Sequence, residues 1–261
     1  MPYKAEIYYS LHMGGDGAKF PVVLIHGAGG THLNWPPYVR RLPGYRVFAL
    51  DLPGHGKSGG LSQQSIAAYA RLVIAWFEEL GLGRAVFVGH SMGSAIALQL
   101  ALTHPQQVVG LGLIGSGARL RVHPDLIQDT SSETTFHRAV DMVVSWSFSS
   151  NTPQRLVELA TKRMLENRPI VLHNDFVTCD SFDIIERIPE IKQPSLIICG
   201  EDDCMTPIRF SQYLRNNLSA SHLKTIPEAG HMVMLEKPEQ VADGLIEFLD
   251  QLHASKRTTL A

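Results

Sequence analysis

The sequence predicts an α/β protein built on a doubly wound, mostly parallel sheet with a helical segment inserted into it. Three observations carry this. Short apolar runs suited to strands buried on both faces recur along the chain and end in Gly, His or Asp. Helix-length patterns lie between them, which argues for right-handed crossovers and a site at the carboxyl ends of the strands. One gap, from about Gly117 to Pro194, is too long for a simple connection. The expected organisation is a core of residues 1–116 and 195–261 with an insertion at 117–194.

Taken in order, Ala5 to Leu11 reads as an antiparallel edge strand, and Pro21 to Ile25 and Arg46 to Leu50 as buried strands. Ser65 to Leu80 has the spacing of a helix. Ala85 to Val88 is a third buried strand, followed at once by a small-residue helix from Ser91 to Thr103, and Val108 to Ile114 is a fourth. The insertion carries helical stretches at Phe136 to Phe148 and Pro153 to Glu166. Its apolar residues Phe136, Met142, Val143, Trp146, Phe148 and Phe176 are candidates for a pocket wall, although packing of the insertion on itself explains most of them. Ser195 to Cys199 and a run near Leu223 to Ile226 complete the strands. The helices Pro207 to Leu218 and Pro238 to Leu252 begin with first-turn prolines, and Ser255 to Ala261 reads as a frayed polar tail.

The most informative residues are Gly89-His90-Ser91-Met92-Gly93, between the third strand and its helix. A strand turning straight into a helix strains the corner residue and crowds the positions two either side, so both flanks must be glycine. Ser91 is therefore a candidate nucleophile at a helix N-terminus, where free N–H groups favour developing negative charge. Such a serine needs a base, and the base needs a carboxylate to hold its tautomer. Of twelve histidines, His231 is the best placed, after the last strand at the sheet end where Ser91 emerges. His90 should leave from the opposite side of the corner, and His55 reads as a loop-shaping residue. For the carboxylate, Gly200-Glu201-Asp202-Asp203 follows a strand at the same edge, and one acid there should orient His231.

Composition sets the surroundings. The 261 residues are 44% hydrophobic and 18% charged, enough for a substantial core. A net charge of −2 and a pI near 6.6 build no basic field for nucleic acid or an anionic membrane surface. The start lacks the regions of a signal peptide, and no apolar run reaches the ~18 residues of a membrane span. Three cysteines, Cys179, Cys199 and Cys204, have no metal-ligand spacing and suit free thiols in a reducing compartment. The expectations are a cytoplasmic protein with no metal, no nucleic-acid partner and no membrane partner. Nothing visible sets its oligomeric state.

With these motifs assembled, the chain resembles the α/β-hydrolase superfamily across residues 20–116 and 195–253. The resemblance rests on His26-Gly27-Ala28-Gly29-Gly30, Asp51-Leu52-Pro53-Gly54-His55-Gly56-Lys57-Ser58, the Gly89 to Gly93 elbow, Gly200-Glu201-Asp202-Asp203 and Gly230-His231, in the order Ser, Asp, His. It implies that the acid is Asp203 rather than Asp202, and that the insertion is a cap. Some relatives carry the acid after the fourth strand, where this chain has Gly115-Ser116-Gly117. An oxyanion hole needs two backbone N–H groups; Met92 supplies one by position, and the resemblance names Ala28 as the other.

Two motifs are decoys. Gly27 to His32 approaches a dinucleotide fingerprint but has His32 at the third glycine. Gly54 to Ser58 resembles the end of a P-loop, yet Asp51 stands at the first glycine. No cofactor is therefore expected. The reading is a serine hydrolase cleaving a carboxylic ester of a small or medium substrate through an acyl-enzyme. Lactone or C–C bond hydrolysis, perhydrolysis and acyl transfer use the same three residues, and a non-catalytic ligand-binding member of the fold is a weaker alternative.

Overall fold

The computed structural model describes residues 3–15 and 17–259. Its strands are β1 (Tyr3–Lys4), β2 (Ile7–Met13), β3 (Val22–Ile25), β4 (Arg46–Asp51), β5 (Ala85–His90), β6 (Val108–Ile114), β7 (Ser195–Gly200) and β8 (Ser221–Ile226). Among the described residues they form one sheet in the order β1-β2-β4-β3-β5-β6-β7-β8. The pairs β1/β2 and β2/β4 are antiparallel, and all others are parallel. The predicted doubly wound, mostly parallel sheet is present. The strand expected at the edge from Ala5 is β2, which starts at Ile7 because Ala5 and Glu6, at φ 44° and 63°, make the tight turn from β1, and it is the short β1 that forms the edge.

The helices are α1 (Pro37–Arg40), α2 (Ile66–Glu79), α3 (Met92–Thr103), α4 (Pro124–Thr130), α5 (Phe136–Ser147), α6 (Gln154–Leu165), α7 (Pro169–Asp180), α8 (Ile208–Asn217), α9 (Val233–Glu236) and α10 (Pro238–Thr259). Alternation along each strand divides the core. Val23, Ile25, Phe87 and Leu111 pack with residues of α2, α3 and α8. Val22, Leu24, Val86 and Val88 pack with Val39 of α1 and with α10. Both faces are covered, so the strands read as unbroken apolar runs. The expected frayed tail is instead helical: α10 continues through Thr259, since Ala254-Ser255-Lys256-Arg257 offers no Pro or Gly stop. Residues 260 and 261 lie outside the described residues.

The chain passes from β3 outward to β4 and returns to β5 on the other side of β3. That reversal opens a crevice at the carboxyl ends of β3 and β5, where ligands bind in sheets of this kind. Between β6 and β7 stand α4 to α7, which pack around Leu126, Phe136, Val140, Val143, Leu172 and Phe176, with Ala28 of the crevice against the same cluster.

Candidate active site

Four segments leave the carboxyl ends of parallel strands and meet. At the corner between β5 and α3, Ser91 has φ 51° and ψ −117°, a conformation an L-residue holds only when its surroundings impose it. A Cβ on Gly89 would collide with the Gly93 carbonyl, and one on Gly93 with the Ile25 carbonyl. The Ser91 carbonyl accepts from Ser94 N–H (2.9 Å) and Ser94 Oγ (2.6 Å), which ties the corner to the first turn of α3.

The acid and the histidine come from the neighbouring strands. His231 Nδ1 lies 2.9 Å from Asp203 Oδ2, with both residues buried. Asp202, by contrast, is exposed and accepts from Ser149 Oγ at 2.6 Å. Thr206, which sequence reasoning did not single out, donates its N–H to Asp203 Oδ1 (2.7 Å) and its hydroxyl to Asp203 Oδ2 (2.8 Å). The signal was present: an Asp three residues before a Thr, just ahead of α8, is the pattern of a side chain capping a turn. Burial alone would raise the Asp203 pKa. His231 and the two Thr206 bonds outweigh it and hold the carboxyl below the ordinary range.

Gly115, where some relatives carry their acid, has φ +52°, and a Cβ there would stand 3.0 Å from His231 Nδ1. Its bareness makes room for the imidazole. The main chain of His231 is held on both sides: Met232 N–H donates to Ser147 O of α5 (3.0 Å), and His90 Nε2 lies 3.0 Å from His231 O. The expectation that His90 points away from this side is therefore incorrect. Its ring centroid is 4.7 Å from that of His231, because the sharp corner at Ser91 turns residue 90 toward the β8 side of the crevice.

After β3, the loop Gly27-Ala28-Gly29-Gly30 closes on itself through Gly30 N–H to Gly27 O (3.0 Å). Neither Ala28 N–H nor Met92 N–H meets an acceptor among the described residues. Ser91, His231 and Ala28 line one cavity of about 70 Å³, walled by Leu120, Val143, Met164, Phe176 and Met232. A second cavity of about 40 Å³ shares Asn34, Ser147, Met164 and Met232 with the first. Of the wall candidates, Phe176 and Val143 reach the first cavity and Phe148 the second. Phe136, Met142 and Trp146 pack within the insertion, since they lie on the faces of α5 turned to its own helices.

His55 shapes its loop through Pro53 O (3.1 Å) and also reaches Asp175 of α7 (2.7 Å). The decoy loop folds onto Asp51, whose carboxylate accepts from the N–H groups of His32 and Lys57. Cys179 and Cys199 are buried free thiols and Cys204 an exposed one. Among the described residues, no group of three or more His, Cys, Asp or Glu side chains is placed to hold a metal. No described helix is long and apolar enough to cross a membrane.

Comparison with known proteins supplies the context for this geometry. Residues 22–244 match the alpha/beta hydrolase family. The chain is 31% identical to the dihydrolipoyllysine-residue acetyltransferase component of the acetoin cleaving system of Pseudomonas putida, over 95% of this chain and 69% of that protein. It is 26% identical to the 2-hydroxy-6-oxo-6-phenylhexa-2,4-dienoate hydrolase of Comamonas testosteroni, over 93% and 92%. A solved thermophilic esterase superposes with a TM-score of 0.81 at 33% identity, covering 94% of each chain.

Proposed function

This chain belongs to the alpha/beta hydrolase family, and from that premise we propose that it is a cofactor-independent serine hydrolase acting on carboxylic esters of small or medium size. The observation that carries the reading is the buried Asp203–His231 pair opening into the cavity where Ser91 stands at its strained corner. Because Asp203 engages His231 Nδ1, Nε2 is the nitrogen left to take the Ser91 proton as Oγ attacks the ester carbonyl. The free N–H groups of Ala28 and Met92 receive the charge on the carbonyl oxygen. His231 then protonates the leaving alcohol, and water, deprotonated by His231, releases the acid from Ser91. The 33% identity with a thermophilic esterase supports ester cleavage over its alternatives.

A fluorophosphonate probe should label the wild type and leave Ser91→Ala unlabelled, with kcat lower by on the order of 10⁴-fold or more in the variant. Labelling that persists in Ser91→Ala removes the assignment. A panel of acyl esters, thioesters, lactones and β-diketones, run with and without an added acyl acceptor, identifies the bond cleaved. The likeness to an acetyltransferase component makes acyl transfer the second reading, favoured if the acceptor and not water takes the acyl group. The unpaired thiols support a reducing, cytoplasmic setting.

A further inference from the structure

The loop that carries Ala28 is held from outside the sheet. Asp175, in α7, is wholly buried. Its Oδ2 accepts from Gly29 N–H (2.8 Å) and lies 2.7 Å from His55 Nε2, while Oδ1 accepts from the Tyr69 hydroxyl (2.7 Å). Asn167, just before α7, donates from Nδ2 to Gly29 O (2.8 Å) and to Met164 O (3.0 Å). Residues of the insertion thus take both the N–H and the C=O of Gly29. The loop has little else to fix it among the described residues: three of its four residues are glycines, Gly29 sits at φ +61°, and its other hydrogen bonds both end on Gly27 O, from Gly30 N–H and from His26 Nδ1. The peptide that Asp175 grips is the one joining Ala28 to Gly29, adjacent to the unsatisfied Ala28 N–H.

A buried carboxylate is a poor device for stability alone, since taking it out of water costs about as much as its partners return. Here its three donors come from three separate elements, the loop after β3, the loop after β4 and α2. That is the arrangement expected where position matters more than binding strength. We propose that Asp175 and Asn167 are positioning residues for the oxyanion hole: by clamping Gly29 they set the backbone angle that aims Ala28 N–H at the carbonyl attacked by Ser91. The hole is then complete only when α7 is seated on the core, so the insertion contributes to the chemical step as well as to the pocket wall. This rests on the serine-hydrolase reading above.

The test compares Asn167→Ala and Asp175→Asn with Thr178→Val, which removes the bond from α7 to Gln63 O (3.0 Å) but leaves Asp175, its donors and both contacts on Gly29 in place. Each variant is first checked for folding by circular dichroism. Asn167 is only half-buried, so its variant carries the test if Asp175→Asn does not fold. The readouts are kcat and KM for a short p-nitrophenyl ester, and Ki for an aryl trifluoromethyl ketone whose serine adduct places an oxyanion in the hole. Removing an oxyanion donor costs roughly 10²–10³-fold, and displacing one costs less. Asn167→Ala and Asp175→Asn should lower kcat about 10- to 100-fold with KM within about threefold, and weaken the ketone by a similar factor. Thr178→Val should stay within about threefold in both readouts, even if it melts earlier. Unchanged ketone affinity in a folded Asn167 or Asp175 variant, or an equal loss in Thr178→Val, overturns the positioning role and leaves the serine-hydrolase reading intact. A wild type that neither cleaves an ester nor binds the ketone overturns both.

Discussion

Two buried histidines around the site should make this protein unusually sensitive to mild acid. His26 uses both ring nitrogens in its neutral form: Nδ1 lies 2.8 Å from Gly27 O and so carries the hydrogen, while Nε2 accepts from Leu52 N–H at 2.9 Å. A second proton would sit against the Leu52 N–H. In His90, Nε2 donates to His231 O, and among the described residues the buried Nδ1 has no partner that could accept from it. Burial is the largest cause of a lowered pKa in both, with the neighbouring His55 and His231 adding to it. His26 is pushed down to about 4 and His90 to about 3.

The sign follows from the proton count. Between about pH 6.5, where histidines of the unfolded chain titrate, and pH 4, the unfolded state gains two protons that the folded state refuses. Stability is fully present above that window and falls through it as pH drops, by up to about 2.7 kcal/mol per pH unit for two protons. Over two pH units that approaches about 5 kcal/mol, comparable with the whole stability of many domains. Other groups act elsewhere. His55 has a raised pKa because Asp175 outweighs its burial, so its contribution is present below pH 6.5 and is lost as pH rises above it. Asp203 and Asp51, both lowered, contribute only above the carboxylate range and lose that stability below about pH 4. Urea unfolding at half-unit steps from pH 7.5 to 4.5 measures the slope. His90→Gln, which keeps a donor for His231 O, should reduce it from about two protons to about one. A wild-type stability that is flat from pH 7 to 5, or a slope unchanged in His90→Gln, refutes the reasoning.

Three further outcomes concern the site. Asp203→Asn should lower kcat roughly 10³–10⁴-fold while Asp202→Asn stays within about tenfold, and the reverse ranking in steady-state assays would move the acid to Asp202. Gly115→Ala places a methyl 3.0 Å from the His231 ring at φ +52°; it should lower kcat/KM by at least about tenfold and cost about 1–2 kcal/mol in denaturant unfolding, whereas a fully active Gly115→Ala would mean that the ring has room to spare. The cavity of about 70 Å³ holds on the order of five water-sized groups, so kcat/KM for p-nitrophenyl esters should peak between about C2 and C8 and fall at C16, each methylene adding at most about 0.8 kcal/mol until the space is full. A maximum at C16, or a jump in rate above the micellar concentration, contradicts this.

What could be read in the sequence was what local physics dictates. Phe87 and Val88 face opposite sides of the sheet, both covered, so β5 shows as an unbroken apolar run. Gly89 and Gly93 are required by collisions with backbone only a few residues, or one strand, away. Ser91 and His231 could be placed because strand ends converge at one edge of a parallel sheet; Asp203 rather than Asp202 could not, since adjacent acids differ only in which one faces β8, and the resemblance supplied that choice. The sequence favours packing of the insertion on itself for most of its apolar residues, as Phe136 and Trp146 do, but nothing local singles out Val143 and Phe176 as the ones that face the cavity.

Helix α7 is the instructive omission. Val171, Leu172, Asp175, Phe176, Thr178 and Cys179 form one buried face, but that face carries the polar Asp175 and Thr178 while Ile170 and Val177 stand exposed, so the apolar stripe that pattern reading depends on is blurred. Asp175 disappears with it: within its own segment it reads as a surface acid, and its partner Gly29 is 146 residues away. The proposed nucleophile and base, Ser91 and His231, announce themselves because such roles demand particular local backbones. A residue that positions another residue's backbone from a distant helix makes no such demand on its own neighbours, so groups of this kind emerge only when buried polar atoms are traced to their partners.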